Sequence, residues 1–343
     1  LLAVAGAYYA LTFGVARVAN HVLELIQPTS TLLIAGFGCI AWNFAAERRE
    51  SGRMRSTLER YVSRNVVREI LDHRDDFLNA LGGTRRPMTV FFSDVRGFTS
   101  FSEQSDASDV VTQLNEYLAA MVRIIFAHEG TVDKFMGDGI MAVWGNVVSN
   151  GAAADACRAA RAAHEMQSAL ARLNTEWAAR DLPAFAIGIG LHHGDAVFGN
   201  IGSDEKMEPT VIGDAVNLAS RVEGLTKKYG VVTCITGSCA ELVREDFHLR
   251  TVDLVQVVGK TKPVEIFSLI SPTEVQPPTW LEPWENAIRL FRGREFAAAI
   301  RLLEALHFDA PDKLRDLYLA RCEAYLQTPP PSDWTGTEIA TTK

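Results

Sequence analysis

The sequence predicts an α+β domain with the element order β-α-β-β-α-β, preceded by apolar helices and followed by a short helical segment. Three observations support this prediction. Short β-rich runs alternate with longer helical runs over 87–270, uncharged stretches fill most of 1–46, and helical patterns resume after residue 271. A chain of 343 residues has room for about two globular units. We expect four segments, at 1–46, 47–86, 87–270 and 271–343.

The amino-terminal segment contains two stretches without charge, 1–16 and 25–46, and the second is long enough to span a bilayer. The first begins with Leu rather than Met, so we expect the remnant of a truncated transmembrane helix. A cleaved signal peptide and a buried helical hairpin are the alternatives. Arginines follow the second stretch, and the positive-inside rule assigns that side to the cytoplasm. We therefore expect a multi-pass protein of the inner membrane, in contact with lipid, with a charged coupling helix over 47–71.

Charge and cysteine content exclude several classes of protein. The chain has 34 Lys and Arg against 42 Asp and Glu, a net charge of -8, which disfavours a nucleic acid as partner. Its five cysteines form no C-x-x-C pair, which argues against a disulfide framework or a cysteine-rich zinc site. This usage of cysteine fits a reducing compartment.

The elements of the central segment follow in order from hydrophobic periodicity and turn residues. The predicted elements up to residue 191 are a strand at 88–93, a helix at 106–128 closed by Gly130, a hairpin of strands at 131–136 and 140–145, an Ala-rich helix at 150–180 and a strand at 185–191. This order is that of the ferredoxin-like fold. Further strands are expected at 196–201, 209–212 and 231–236, a helix at 214–228, and a β-rich tail ending near residue 270.

The carboxyl-terminal segment begins after a proline-containing linker and contains three helical patterns, at 284–291, 296–306 and 312–326. They resemble one and a half tetratricopeptide hairpins. Because one such repeat cannot bury its own apolar face, we expect it to pack on the central domain or on a second chain. Three prolines at 329–331 end the last helix, and the final dozen residues are expected to be loose.

Two acids stand at positions suited to a ligand. Asp94 ends the first strand before a glycine turn, and Asp138 lies in the turn of the predicted hairpin. Each has an ordinary alternative, since Asp often caps a helix and Asp-Gly is a favoured hairpin dipeptide. Strands one and three are neighbours in this fold, so the two carboxylates should lie close together. With no His or Cys nearby, they suit Mg²⁺ or Mn²⁺ with substrate phosphates completing the coordination.

The helix at 214–228 presents a second candidate group. Its core stripe is formed by positions 215, 218, 219, 222 and 225, and Asn217 and Arg221 lie four residues apart on the opposite face. An amide and a guanidinium together suit a negatively charged transition state, whereas a solvated helix surface is the alternative. Lys260 stands in a turn after Gly259, where it can bind phosphate as a point charge, although the surrounding pattern is not a P-loop. His192 and His193 have no ligand partner at helical spacing and are assigned a structural role.

Three separated motifs, FFSDVRGFT at 91–99, DKFMGD at 133–138 and VIGDAVNLASR at 211–221, resemble the class III nucleotidyl cyclases, in particular the membrane-bound adenylate cyclases of bacteria. The resemblance covers 87–270, about half of the chain, and is specific because the three motifs agree in order and spacing. It implies a catalytic domain that works as a dimer, with each active site shared between the two chains.

The resemblance also implies roles for individual residues. Asp94, Asp138 and the carbonyl of Val95 correspond to the ligands of two metal ions, one activating the ribose 3′-hydroxyl and the other holding the triphosphate. Asn217 corresponds to the residue that orients the ribose, and Arg221 to the residue that stabilises charge on the α-phosphate. Further residues are assigned to substrate binding on the same resemblance: Lys260 at the terminal phosphates, and Gly97, Phe98 and Thr99 in the turn after the first strand.

Base selection in this family depends on two positions, which are Lys134 and Thr210 in this chain. A lysine and a threonine resemble the adenine-selecting pair of bacterial members. The expected activity is therefore the conversion of ATP to cyclic AMP and pyrophosphate, with a sensory region preceding Leu1. A guanylate cyclase and a catalytically silent nucleotide-sensing module are the alternatives. Because every matched catalytic position is filled in one chain, we expect a homodimer with two equivalent sites.

Overall fold

The computed structural model describes residues 2–19, 35, 37–38, 41–42, 82–203, 205–256 and 262–339. The chain divides into two compact units, 1–60 and 61–343. In the first unit, helix α1 covers Leu2–Ala19 and contains most of the first predicted uncharged stretch. Most of the second stretch and the predicted coupling helix over 47–71 lie outside the described residues.

The second unit alternates strands and helices, as the sequence predicts. Its strands are β1 (Thr84–Val95), β2 (Thr131–Met136), β3 (Gly139–Trp144), β4 (Ile187–Ser203), β5 (Lys206–Ile212), β6 (Thr233–Thr236), β7 (Phe247–Gln256), β8 (Val264–Pro272) and β9 (Thr337–Ile339). Its helices are α2 (Phe98–Gln104), α3 (Ala107–Ala127), α4 (Ala152–Ala178), α5 (Asp214–Tyr229), α6 (Gly237–Val243), α7 (Leu281–Arg292), α8 (Phe296–Ala305) and α9 (Lys313–Gln327).

The strands form one mixed sheet in the order β2-β3-β1-β4-β6-β8-β7-β9, and β5 pairs with β4 outside this path. The first four strands reproduce the predicted β-α-β-β-α-β arrangement, with β1 antiparallel to both β3 and β4. The predicted strands at 185–191 and 196–201 are one continuous strand, β4, which extends past the edge of the sheet core to pair with β5.

Strand β1 is buried on both of its faces, which explains its nearly continuous apolar run. Phe91 and Val95 belong to a core shared with α3 and α4. Val90 and Phe92 point to the opposite face and pack with residues of α5. The helices therefore cover both faces of the sheet, and β1 is an interior strand between β3 and β4.

Helix α3 is long and apolar enough to cross a membrane, and no other helix in the described ranges is. Its Tyr117, Met121 and Ile125 have no exposed surface and pack against the sheet. It is thus a core helix of this domain. The predicted cap is corrected here: the helix is capped by His128, and Glu129, with φ of 60°, takes the left-handed conformation expected of Gly130.

Gly130 is needed at the end of α3 for a different reason. Its N–H donates to the carbonyl of Ile125 at 2.8 Å, as in a Schellman motif. A Cβ added to Gly130 would lie 2.6 Å from the ring of Trp144. The glycine therefore permits the close approach of β3 to the helix end.

Two glycines of β4 permit a similar approach by helix α5. A Cβ on Gly190 would lie 2.3 Å from the backbone N of Glu223, and one on Gly188 would lie 2.3 Å from Oγ1 of Thr226. The following His192 and His193 are hydrogen-bonded to Thr236 and Thr89 within the sheet. The G-x-G run thus brings α5 against the sheet, and the histidines have the structural role that the sequence predicts.

The carboxyl-terminal helices pack on the central domain, which confirms one of the two predicted locations. Trp284, Phe291 and Tyr318 from α7 and α9 share a core with Leu218 and Val222 of α5. Arg250 of β7 lies 3.7 Å from the centre of the Trp284 ring and forms a bidentate ion pair with Asp312 at 2.7 and 2.8 Å. The segment is therefore continuous with the core that supports α5.

A buried carboxylate links α5, β7 and α9. Asp253 is 1% exposed. It accepts a hydrogen bond from the hydroxyl of Tyr229 at 2.7 Å and forms an ion pair with Arg321 at 2.7 Å. The Tyr318 hydroxyl donates to the carbonyl of Val252 at 2.8 Å and lies 3.3 Å from Asp253. A buried charge is tolerated here because each oxygen of Asp253 has a donor.

The expectation that the last dozen residues are loose is wrong for residues 337–339. Strand β9 pairs in parallel with β7, with Leu254 opposite Thr337. Glu338 forms ion pairs with Lys228 of α5 at 2.8 Å and with Arg321 of α9 at 3.0 Å. Backbone pairing and two cations hold the strand, and neither is visible in a composition rich in Thr and Pro.

We expect Arg321→Met to lower the free energy of unfolding by about 3 kcal/mol, because it leaves the Asp253 carboxylate buried without its cation. Urea unfolding followed by tryptophan fluorescence measures the change. Arg161→Met is the matched control, since its ion pair with Asp246 is exposed at 50% and 37% of the two side chains and should contribute less than about 1 kcal/mol. Equal effects of the two substitutions would contradict the prediction.

Candidate active site

The two predicted metal-binding acids lie together at one end of β1. Strand β1 pairs with β3 so that Ser93 is opposite Ile140, which brings Asp94 next to the two-residue turn that carries Asp138. Oδ2 of Asp138 accepts a hydrogen bond from the backbone N of Val95 at 3.1 Å. A Cβ on Gly139 would lie 3.3 Å from Oδ1 of Asp94, so the turn packs closely on the carboxylate.

The electrostatics of this pair are unfavourable for two free carboxylates. Partial burial, and then the charge of Asp138, raise the pKa of Asp94 to about 6. Glu223 of α5, which the sequence analysis did not select, interacts electrostatically with both carboxylates. Burial and the charge of Asp94 raise its pKa to about 7. The sequence contained only an indirect signal for Glu223, which was the pair of glycines in β4 that the structure places against this residue.

The groups at this end of β1 that could bind a metal ion are hard oxygen ligands. Among the described residues, no group of three or more His, Cys, Asp or Glu forms a closed metal cage. Asp94 and Asp138 thus supply a partial set, to which the carbonyl of Val95 can add an oxygen. An open set of this kind leaves coordination positions for phosphate oxygens and water, as Mg²⁺ prefers.

The glycine turn after β1 leads directly into α2. Gly97 has φ of 72° and precedes the first helical residue, Phe98. The ring of Phe98 packs on Phe101 and Phe185, with ring centres 5.8 and 6.2 Å apart. Thr99 is exposed in the first turn of the helix. Assignment of these three residues to substrate binding stays a prediction.

The two predicted base-selecting residues are joined by a third residue, Asp133. The Thr210 hydroxyl of β5 donates to Oδ2 of Asp133 at 2.7 Å, and Nζ of Lys134 lies 3.4 Å from the same oxygen. The backbone N of Val211 donates to Oδ1 at 3.0 Å. Sequence analysis missed Asp133, although a charged residue after the buried Val132 was a usable signal.

Helix α5 carries Asn217 and Arg221 as expected. Its apolar stripe is buried, with Ala215, Leu218 and Val222 at 4% exposure or less. Asn217 is exposed and Arg221 half-buried, so the pair lies away from this stripe. Lys260 lies outside the described residues. The catalytic roles of these three residues remain predictions.

The chain matches the model of the adenylate and guanylate cyclase catalytic domain over residues 83–271. It is 36% identical over 235 residues to an adenylate cyclase of Anabaena cylindrica, covering 66% of this chain and 45% of that protein. It is 31% identical over 215 residues to adenylate cyclase 1 of Rhizobium meliloti, covering 62% and 32%. The chain thus spans less than half the length of these relatives.

Solved structures agree with the sequence comparison. The adenylyl cyclase CyaB of P. aeruginosa is similar with a TM-score of 0.53 and 32% identity, covering 57% of this chain and 99% of that one. The guanylyl cyclase Cya2 is similar with a TM-score of 0.51 and 37% identity, covering 56% and 95%. With the matched domain extending over more than half of the chain, this protein belongs to the class III nucleotidyl cyclase family.

Proposed function

We propose that this chain is an adenylate cyclase that converts ATP to cyclic AMP and pyrophosphate at sites formed between two copies of the chain. The observation that carries the proposal is the meeting of Asp94 and Asp138 at the end of β1, within a domain of the cyclase family. The adenylate cyclases among the relatives support the choice of reaction.

The carboxylate pair fits divalent cations, Mg²⁺ or Mn²⁺, with two ions per site. The raised pKa of Asp94 reflects partial burial and repulsion from Asp138, and a divalent cation would relieve that repulsion. Bound ions would lower the pKa of the ribose 3′-hydroxyl and offset the charge of the triphosphate. Asp94, Asp138 and the carbonyl of Val95 would hold them.

The remaining steps belong to the side chains. The ribose 3′-hydroxyl would lose its proton to water, its oxygen would form a bond to the α-phosphorus, and the bond from that phosphorus to pyrophosphate would break. Asn217 would orient the ribose, and Arg221 would stabilise the charge that grows on the α-phosphate oxygens. Lys260 would bind the terminal phosphates that leave. The turn of Gly97, Phe98 and Thr99 would contact the substrate at the start of α2.

Lys134 and Thr210 support ATP over GTP as the substrate. Adenine offers an acceptor at N1 and a donor at N6, which match an ammonium donor and a hydroxyl acceptor. Guanylate cyclase activity remains the second candidate, because the similarity to a guanylyl cyclase structure is as high as that to an adenylyl cyclase. A silent nucleotide-sensing module is the third, and the presence of all matched catalytic residues argues against it.

Exposed apolar side chains support a homodimer. Five large apolar residues of β2, β4 and β5 remain accessible in the single chain, each between 43% and 55% exposed. They are Phe135, Met136, Ile201, Met207 and Ile212. Apolar groups concentrated on neighbouring strands are typical of a protein interface. A second copy of the chain would cover them and complete two equivalent sites.

The uncharged stretch at 25–46, which is long enough to span a bilayer and is followed by arginines, supports attachment to the inner membrane, with the catalytic domain in the cytoplasm. In helix α1, which precedes this stretch, the side chains of Leu11, Phe13 and Val18 are 63%, 68% and 90% exposed. Arg17 is the charged residue of the last turn of this helix. Exposed apolar side chains of this kind fit a lipid environment.

We expect the purified chain with Mn²⁺ to form cyclic AMP from ATP far faster than cyclic GMP from GTP. Arg221→Ala should lower turnover by about a hundredfold, equivalent to about 3 kcal/mol of lost transition-state stabilisation. Asp94→Asn should be inactive as well. Chromatographic separation of the products measures both activities, and unchanged turnover in Arg221→Ala would remove this residue from the mechanism.

Mixing the two inactive variants tests the shared site within the same experiment. If each site takes Asp94 from one chain and Arg221 from the other, a mixed dimer would contain one site with both defects and one with neither. Random exchange of equal amounts should therefore restore about a quarter of the normal activity, because half of the dimers are mixed and each has one intact site. No recovery, with exchange verified by labelled chains, would argue that each chain builds its own site.

We expect Asp94→Asn to raise the Tm by about 1–2 °C at pH 7.5 without divalent cations, a small gain because solvent screens this exposed site. The folded-state pKa of Asp94, about 6, exceeds its ordinary value of 3.8, so ionisation destabilises the fold increasingly as pH rises from about 4 to 6. The gain should therefore shrink at pH 5. Calorimetry at the two pH values measures it, and a larger gain at pH 5 would contradict this account.

We expect the chain produced in bacteria to remain in the membrane pellet after an alkaline carbonate wash and to be released by detergent. Protease added to inverted inner-membrane vesicles should digest the catalytic domain, whereas protease added to intact spheroplasts should not. Recovery of folded chain in the carbonate supernatant would contradict membrane insertion.

A further inference from the structure

Asp133 is a buried carboxylate whose contacts are unusual for a strand residue. Its side chain is 2% exposed, yet it lies on β2 beside Lys134, whose side chain is 39% exposed. It accepts hydrogen bonds from the hydroxyl of Thr210 and the backbone N of Val211, both on β5. Burial raises its pKa, and these donors and the charge of Lys134 oppose the shift. The residue therefore joins two strands that are not paired in the sheet.

A β-bulge explains how neighbouring residues of one strand can act together. The β2–β3 register shifts between Val132 and Lys134, so Asp133 is the extra residue on β2. Successive side chains of a regular strand point to opposite faces, and a bulge changes that direction. The 3.4 Å separation of the Asp133 carboxylate and the Lys134 ammonium follows from this bulge.

The hydrogen bond to Asp133 also determines which way the Thr210 hydroxyl acts. A threonine hydroxyl has one proton and two lone pairs, so it can donate or accept toward a ligand. At Thr210 the proton is directed to Oδ2 of Asp133 at 2.7 Å. The hydroxyl can then only accept a hydrogen bond from a nucleotide base.

We propose that Asp133 is a positioning residue for base selection. Its carboxylate directs the Thr210 hydroxyl to accept a hydrogen bond from the base, and it holds the Lys134 ammonium in place as a hydrogen-bond donor to the base. The proposal rests on the proposed function and deepens it. Adenine presents the N6 amino group as a donor to Thr210 and N1 as an acceptor to Lys134. Guanine presents O6, an acceptor, and a protonated N1, so both contacts would oppose like groups. Rejection of guanine at Thr210 therefore depends on Asp133, although this residue need not touch the base.

Asp133→Asn reverses the polarity of Thr210 with little change of shape. The backbone N–H of Val211 can only donate, so the amide oxygen of the new residue must face it. The amide nitrogen then faces Thr210 and donates to its hydroxyl, whose proton turns toward the base. Nitrogen also replaces the oxygen beside Lys134, which removes the partner of the ammonium. A hydroxyl that donates suits O6 of guanine.

The test compares kcat/KM for ATP and for GTP in the normal chain and in Asp133→Asn, with Mn²⁺. We expect the ratio of the two values to fall by about tenfold or more, because the reversed hydroxyl opposes the N6 amino group of adenine and suits O6 of guanine. Asp155→Asn is the matched control, because Asp155 is also a buried acceptor, 3% exposed and bonded to Ser149 at 2.6 Å, away from the base-selecting residues. The control should keep the normal ratio.

Thr210→Val tests whether Asp133 acts through the hydroxyl. In that background we expect Asp133→Asn to change the ratio much less than it does alone. An equal change in both backgrounds, or an unchanged ratio in folded Asp133→Asn, would overturn the proposal. If Asp133→Asn does not fold, Asp133→Ala leaves the hydroxyl free to rotate and should also lower the ratio, and an unchanged ratio there would overturn it.

Binding of non-reactive fluorescent analogues of ATP and GTP separates this proposal from the proposed function. A normal chain that binds the ATP analogue better but forms no cyclic AMP would refute the cyclase activity, while the ratio of the two Kd values would still report on Asp133. A chain that forms cyclic AMP and keeps its ratio in Asp133→Asn would refute only the role of Asp133.

Discussion

The antiparallel pairing of β1 with β3 is the constraint on which the site depends. Ser93 lies opposite Ile140, and this register places Asp94 beside the turn that carries Asp138. A slip of one residue would exchange the two faces of β1, moving Phe91 and Val90 into each other's cores. Because both faces are buried, no such slip is tolerated. The proximity of two mutually repelling carboxylates is therefore enforced by apolar packing, and the carboxylates themselves oppose it.

Helix α5 connects this centre to the rest of the molecule. The glycines of β4 let its backbone lie against the sheet, and Glu223 thereby enters the field of Asp94. On its other side the helix shares a core with α7 and α9, and Tyr229 and Lys228 bond to Asp253 and Glu338. The helix that carries Asn217 and Arg221 is thus held by the carboxyl-terminal segment as well as by the sheet.

The polar contacts between β2 and β5 also serve more than one purpose. Asp133 bridges two strands that share no backbone ladder, and the same contact orients the residues assigned to base selection. Around it, Phe135 and Met207 expose apolar surface suited to a second chain. Strand connection, base selection and dimer contact would then be concentrated in one part of the domain.

Periodicity and turn residues by themselves determined the order of the longer elements, the first four strands of the sheet, the apolar stripe of α5 and the closeness of Asp94 and Asp138, because these follow from local pattern and one fold rule. The short helices α2 and α6 were not predicted. Motif resemblance added the family. Only the tertiary structure decided the roles of Asp133, Glu223 and Asp253, since the surroundings of a buried charge come from distant segments. The tertiary structure also ordered β9, because this strand pairs with β7. It placed the left-handed residue at Glu129 and not at Gly130, because the contact of Gly130 with Trp144 outweighs local preference.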